Sequence, residues 1–67
     1  MAKILSIESS TEVCSVGLAV NGFVTDLEED IQGMNHSGLL TVFIDRILTR
    51  NRIRVQDLDA VAVSSGP

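Results

Sequence analysis

The dipeptide Asn21-Gly22 is the feature that most constrains how this chain can fold. Both residues tolerate a positive φ, which the tightest β-hairpin turns require. Residues 13–20 before it alternate between larger apolar and small side chains, a pattern typical of a strand with one small-residue face that another element can approach closely. Residues 23–30 after it are predicted to return as the partner strand, with an acidic end typical of a charge-protected sheet edge.

Two further strands and one helix are indicated by the apolar pattern. Residues 3–8 and 58–65 are nearly continuous apolar runs, which suit strands covered on both faces. Residues 37–51 repeat apolar side chains with the helical period, over an arc wider than the roughly 100° needed to pack on one sheet. The helix is therefore expected to have two neighbours, the sheet and another helix.

The order of these elements predicts an α/β fold. The first three strands form an antiparallel meander (β1-β2-β3), and the helix is a crossover that places the fourth strand parallel to the first. This is the opening of a ribonuclease-H-like or actin-like (ASKHA) domain. Because one helix cannot cover both faces of a four-stranded sheet, residues 1–67 are interpreted as a partial N-terminal subdomain of a larger two-subdomain protein.

Composition limits the cellular locations and the kinds of binding partner that can be expected. Cys14 is the only cysteine, so no intrachain disulfide forms, and we expect it to be a buried structural thiol. The net charge of −4 argues against nucleic-acid binding by bulk electrostatics. No run approaches the roughly 20 apolar residues that span a bilayer, so a cytoplasmic location without membrane contact is expected. The acidic residues 26–30 and the arginines in 46–54 are interpreted as solvated surfaces.

Two polar loops follow the strands that are predicted to be parallel. Ligands gather beyond the carboxyl ends of such strands, and hydroxyl-rich loops can hold a phosphate with their backbone N–H groups. The same residue types also make ordinary turns, and neither loop is a Walker motif or a GxGxxG. Both interpretations stay open: plain turns, or a weak ATP or ADP phosphate site at Glu8, Ser9, Ser10, Thr11, Ser65 and Gly66.

Neither metal nor catalytic residues are predicted. Glu8 stands where a ribonuclease-H-like nuclease places a metal ligand, but the last strand ends in Ser64 and Ser65, without the companion carboxylates of two-metal chemistry. His36 is the only histidine, and Leu40 follows it at helical spacing, so it has no chelating partner there.

Two segments resemble the TsaB (YeaZ) family, whose members are also labelled glycoprotease-like or peptidase M22 homologues. They are residues 4–18, ILSIESSTEVCSVGL, and residues 57–67, DLDAVAVSSGP. His36-Ser37 at the helix start is similar as well. The segment from Arg50 to Arg54 departs from the family, in which the end of this helix is usually less basic.

The resemblance implies an actin-like protein of two related subdomains that works in making N6-threonylcarbamoyladenosine (t6A) on tRNA. Its members are scaffolds or activators of a catalytic TsaD-like paralogue, a TsaE-like ATPase joins them, and tRNA is reached only through the complex. TsaD-like proteins bind a metal through two histidines four residues apart. Leu40 stands at the second of these positions, which favours the non-catalytic branch.

The first helix of the family packs against the partner or against a second copy in a homodimer. The resemblance therefore implies partner contacts on helix 37–51 at Leu39, Val42, Phe43 and Arg46, with Leu40, Ile44 and Ile47 facing the sheet. A second helix of the same protein is an equally open neighbour. The alternative function is a TsaD-like metalloenzyme or a small-molecule kinase of the actin-like superfamily, although Ser9-Ser10-Thr11 lacks the glycine of such kinases.

Overall fold

The computed structural model describes residues 2–9, 13–30 and 36–65, with residues 36, 37 and 65 described by their backbone. Its elements are, in chain order, β1 (Lys3–Ser9), β2 (Cys14–Val20), β3 (Phe23–Asp30), α1 (His36–Arg50), a 3₁₀ turn (Val55–Asp57) and β4 (Ala60–Ser65). Each predicted strand and the helix is present. The last strand starts later than predicted because the Leu58 N–H donates to the Val55 carbonyl and closes the 3₁₀ turn.

The four strands form one mixed sheet in the order β3-β2-β1-β4. β1 pairs antiparallel with β2, β2 pairs antiparallel with β3, and β4 pairs parallel with β1. The predicted α/β fold, an antiparallel meander followed by a helical crossover to a parallel strand, is confirmed.

The hairpin between β2 and β3 turns at Asn21 and Gly22, with φ of 54° and 86°. Two consecutive positive φ values define a type I′ turn, whose twist matches that of the strands. The Asn21 side chain also accepts a hydrogen bond from the Ala2 N–H at 3.0 Å, and its own N–H donates to the Ala2 carbonyl at 2.8 Å. The turn residue therefore also fixes the start of β1.

β3 contains a β-bulge at Thr25. Ala19 pairs with Val24 while Leu18 pairs with Asp26, so Thr25 is the extra residue, and its hydroxyl donates to the Leu18 carbonyl at 3.3 Å. Because side chains alternate between faces, one inserted residue moves every later side chain to the opposite face. Residues 26–30 accordingly place their carboxylates at 26, 28 and 30 on the face of β2 that carries Val16.

The core lies between the sheet and α1, which packs on β2 and β3. Its buried side chains are Leu5, Cys14, Val16, Leu18, Phe43 and Ile47. The prediction that Cys14 is buried is confirmed, and burial, followed by the charge of Asp30, raises the pKa of its thiol. Val61 and Val63 lie on the same sheet face as α1, but they are 51% and 70% exposed.

Within the described residues, no helix is both long and apolar enough to cross a bilayer.

Candidate functional site

The carboxyl ends of β1 and β4 lie side by side, as the sequence predicts. In the parallel register Glu8 is opposite Ser64, and Ser9 is opposite Ser65. Glu8 is exposed at this edge. Of the other predicted phosphate-loop residues, Ser10, Thr11 and Gly66 lie outside the described residues. The phosphate site therefore stays a prediction.

A shallow groove of about 250 Å³ crosses the sheet face that is turned away from α1. Small residues form its floor, including Ser15, which is buried, and Gly17. Val24 and Leu27 of β3 form one side, and the Leu27 Cδ1 atom lies 3.6 Å from where a Cβ of Gly17 would stand. Glu8 also lines the groove, so the groove and the β1–β4 edge share a carboxylate.

The predicted partner-binding residues of α1 divide into two groups. Val42 is 43% exposed and Leu39 is half-buried, so both offer apolar surface. Phe43 is only 5% exposed and packs in the core, so its side chain faces the sheet and not the outer surface predicted for it. Ile47 is buried and Leu40 and Ile44 pack against the core, as predicted.

Arg46, the fourth predicted partner residue, takes part in an ionic cluster between α1 and β3. The Arg50 guanidinium donates to both carboxylate oxygens of Asp26 at 2.8 and 2.6 Å and to Glu28 at 2.9 Å. Arg46 donates to the other oxygen of Glu28 at 3.1 Å. The Asn51 amide donates to Asp26 at 2.7 Å and to the Ile47 carbonyl at 2.7 Å. We call these five residues, Asp26, Glu28, Arg46, Arg50 and Asn51, the arginine clasp.

The arginine clasp corrects the prediction that the acidic run and the arginines are separate solvated surfaces. The two carboxylates lie on the helix-facing side of β3 because of the Thr25 bulge, and the arginines lie one helical turn apart. A signal for the clasp was present in the sequence. Acidic residues two apart on a strand and basic residues four apart on a helix each define a single face.

Mutual pairing shifts the ionisation of the clasp. Hydrogen bonds from Arg50 and then Asn51 lower the pKa of Asp26 from 3.8 to about 2. Hydrogen bonds from Arg50 and Arg46 also lower the pKa of Glu28, and those two carboxylates raise the pKa of Arg50. Asp26 and Glu28 are thus ionised at neutral pH, and their ion pairs link α1 to the edge strand.

Within residues 2–9, 13–30 and 36–65, no cluster of three or more His, Cys, Asp or Glu side chains is arranged to hold an ion. Leu40, at the position where the TsaD-like pattern has its second histidine, packs against the core.

Solved structures of YeaZ-type proteins share this fold. YeaZ from Pseudomonas aeruginosa superposes with a TM-score of 0.86 and 27% identity, over all of this chain and 31% of that one. A structure described as an uncharacterized protein with similarity to peptidase YeaZ, also from Pseudomonas aeruginosa, superposes with a TM-score of 0.85 and 27% identity, again over 100% and 31% of the chains. The sheet and its helix are therefore a YeaZ-type α/β unit.

The sequence makes the assignment more specific. The chain is 34% identical over 64 residues to the tRNA threonylcarbamoyladenosine biosynthesis protein TsaB of Haemophilus influenzae, covering 96% of this chain and 27% of that one. The TsaB protein of Buchnera aphidicola matches at 34% identity, covering 96% and 28%. No family model matches. In sequence and in fold the chain is similar to TsaB/YeaZ proteins, which supports a TsaB/YeaZ assignment, and it spans less than a third of the length of these relatives.

Proposed function

We propose that this chain works in t6A biosynthesis on tRNA, as part of a non-catalytic scaffold or activator of a TsaD-like catalytic partner. The observation that carries the proposal is the match of 96% of the chain to two proteins named for threonylcarbamoyladenosine biosynthesis. The superposition on YeaZ over the whole chain supports it independently, since it rests on the backbone.

The non-catalytic role draws support from α1. Leu40 is apolar and packs against the core at the position where the TsaD-like pattern needs a second metal-binding histidine. His36 is the only histidine of the chain. An accessory subunit needs a surface for its partner, and α1 offers one in exposed Val42 beside half-buried Leu39.

The complex that we propose contains the TsaD-like paralogue and a TsaE-like ATPase in the cytoplasm. The chain meets tRNA only through these proteins, because its net charge of −4 opposes direct binding to phosphates. Arg46 has a single partner among the described side chains, Glu28, and its side chain is 57% exposed. Its remaining donors are therefore free for an acidic group on the partner. The same surface would serve a homodimer.

The test is t6A formation on tRNA by purified TsaD and TsaE proteins, with and without the protein that carries this chain. We expect formation to depend on the protein and to survive Glu8→Ala and His36→Ala, since neither residue is assigned a chemical role. Loss of activity in either variant, with the fold retained by circular dichroism, would assign chemistry to this chain. If t6A formation is the same with and without the protein, the proposal is wrong.

The partner surface is tested by the same assay and by a pull-down with TsaD. Val42→Glu places a charge on the outer side of α1, and we expect it to weaken binding and t6A formation by about tenfold or more, as for an interface contact. Val55→Glu is the matched control, because Val55 is an exposed valine on the 3₁₀ turn and not on α1. Equal effects of the two variants would contradict the proposal that Val42 lies on the partner-binding surface.

Weak ATP or ADP binding at the β1–β4 edge is a second candidate. The placement of Glu8 opposite Ser64 and of Ser9 opposite Ser65 supports it, because both strand ends point to one edge. Calorimetric titration with ADP tests it, and saturation that Ser9→Ala weakens is the expected result. A TsaD-like enzyme or a kinase would in addition turn the nucleotide over without partner proteins.

A further inference from the structure

The register of β3 conflicts with its apolar pattern. Counted from the hairpin turn without a bulge, Thr25 would pair with Leu18, Leu27 with Val16, and Glu29 with Cys14. Leu27 would then face α1 and cover Val16, which is a core residue. In the observed register Leu27 is 53% exposed on the opposite face. The apolar pattern thus favours a register that the structure does not adopt.

The bulge brings the observed register a second disadvantage, because an inserted residue interrupts the ladder of hydrogen bonds. Some interaction made only in the observed register must offset both disadvantages. Asp26 and Glu28 lie on the face of α1 only when Thr25 is bulged. They are also the two carboxylates that Arg46 and Arg50 bind.

The geometry of the arginine clasp matches this requirement. Alternate residues of a strand are about 6.6 Å apart. Residues four apart on a helix are about 6 Å apart along its axis. Asp26 and Glu28 therefore stand at the spacing of Arg50 and Arg46, and a shift of β3 by one residue would turn both carboxylates to the other face.

We propose that β3 is a two-register strand and that the arginine clasp selects its bulged register. Release of the clasp lets β3 move by one residue, so that Leu27 joins the core and the carboxylates of residues 26, 28 and 30 turn to the groove face. The groove whose side is formed by Val24 and Leu27 then exists only while the clasp is closed. The clasp is thus a conformational device that decides which side chains each face of the edge strand presents.

Cys14 allows a direct test, because its cross-strand neighbour differs between the registers. It pairs with Asp30 in the observed register and would pair with Glu29 in the bulge-free one. Directly opposed residues of antiparallel strands fall within the Cα separation of a disulfide. The full 67-residue chain is prepared as Asp30→Cys and, separately, as Glu29→Cys. Each variant loses one carboxylate that lies outside the clasp, so the two are matched.

Both variants are oxidised with copper phenanthroline at low protein concentration, and intramolecular crosslinks are measured by mass spectrometry. Circular dichroism under the same conditions confirms that each chain is folded. With the clasp intact, we expect the crosslink at position 30 and little at position 29. With Arg46→Met and Arg50→Met added, or in about 1 M salt, which screens exposed ion pairs, we expect it to shift toward position 29.

Deletion of Thr25 separates register from stability. Without the extra residue, the bulge-free pairing itself places Asp30 opposite Cys14, so no choice of register remains. In this background the position 30 crosslink should persist with or without the two arginines. Loss of that crosslink in the deletion chain on arginine substitution would overturn the proposal, since the arginines would then act on folding. Continued preference for position 30 in the folded Arg46→Met, Arg50→Met chain that retains Thr25 would also overturn it.

Discussion

Asp26 shows how much a single side chain depends on its neighbours in this protein. Its carboxylate accepts hydrogen bonds from Arg50 and Asn51 at the end of α1, and from the N–H of Leu27 on its own strand. Its cross-strand neighbour on β2 is Leu18, which carries no charge. The hydrogen bonds from Arg50 and Asn51 stabilise the ionised carboxylate, and the pKa of Asp26 therefore falls to about 2.

A depressed pKa makes the stability of the chain depend on pH. Because the folded pKa of Asp26, about 2, lies below its ordinary value of 3.8, the stabilisation is fully present above about pH 4. It is lost as the pH falls through about 2. We expect the urea midpoint to fall between about pH 4 and pH 2, and to fall less in Asp26→Asn.

The control for this measurement is Asp45→Asn, which removes the same charge from an exposed position of α1 outside the clasp. Its urea midpoint should fall with pH as in the parent chain. An Asp26→Asn chain that loses as much stability in acid as the parent would show that Asp26 is not ionised differently in the folded state.

At the scale of elements, the end of α1 shows how the basic segment from Arg50 to Arg54 is built into the chain. The Ile53 N–H donates to the Leu48 carbonyl at 2.9 Å, and the Arg52 N–H donates to the Thr49 carbonyl at 3.2 Å. These two bonds form a Schellman motif, whose left-handed position usually carries glycine. Here Arg52 occupies it with a φ of 57°. Arg54 then pairs with Asp57 within the 3₁₀ turn.

Replacement of Arg52 by glycine is expected to stabilise the chain. The left-handed conformation costs a residue with a Cβ roughly 1–2 kcal/mol, and glycine avoids this cost. Part of the gain is lost again, because glycine gives up more conformational entropy on folding. Arg52→Gly should therefore raise the free energy of unfolding by about 1 kcal/mol, measured by urea denaturation. Arg52→Ala keeps the Cβ and should not reproduce the gain. A gain of equal size in both variants would assign it to the charge.

For the whole molecule, the main feature is apolar surface that stays exposed on both faces of the sheet. Val61 and Val63 lie exposed on the face of α1, and Val24 and Leu27 lie exposed on the other. A chain of this length buries a modest fraction of its surface, so apolar area on both faces favours association.

We expect this chain alone to associate and to melt at a temperature that rises with its concentration, because association stabilises the folded state by mass action. Circular dichroism melts over a concentration series, together with sedimentation velocity, measure this. Val63→Thr should weaken the concentration dependence, whereas Val55→Thr, at an exposed valine of the 3₁₀ turn, should not. A sharp melt of a monomer, independent of concentration, would contradict the expectation.

Much of the fold is determined by local sequence. Asn21 and Gly22 adopt the positive φ values that their turn requires, and the helical and strand periods locate α1 and the four strands to within two residues. The topology follows, because a hairpin and a helical crossover leave few ways to connect such elements. The meeting of Glu8 and Ser64 at one edge is a consequence of that topology. These features depend on residues close in sequence or on general rules of chain connection.

The tertiary structure alone decided which face the second half of β3 presents. Alternation counted from the hairpin turn would place Leu27 in the core, and the Thr25 bulge reverses this. That choice depends on Arg46 and Arg50, which lie about twenty residues later in the chain. A local sequence pattern does not show that these arginines lie close to Asp26 in space. The predicted position of Phe43 on the outer surface is wrong for a similar reason. A helix with a wide apolar arc can be rotated toward several neighbours, and only packing on β2 selects one.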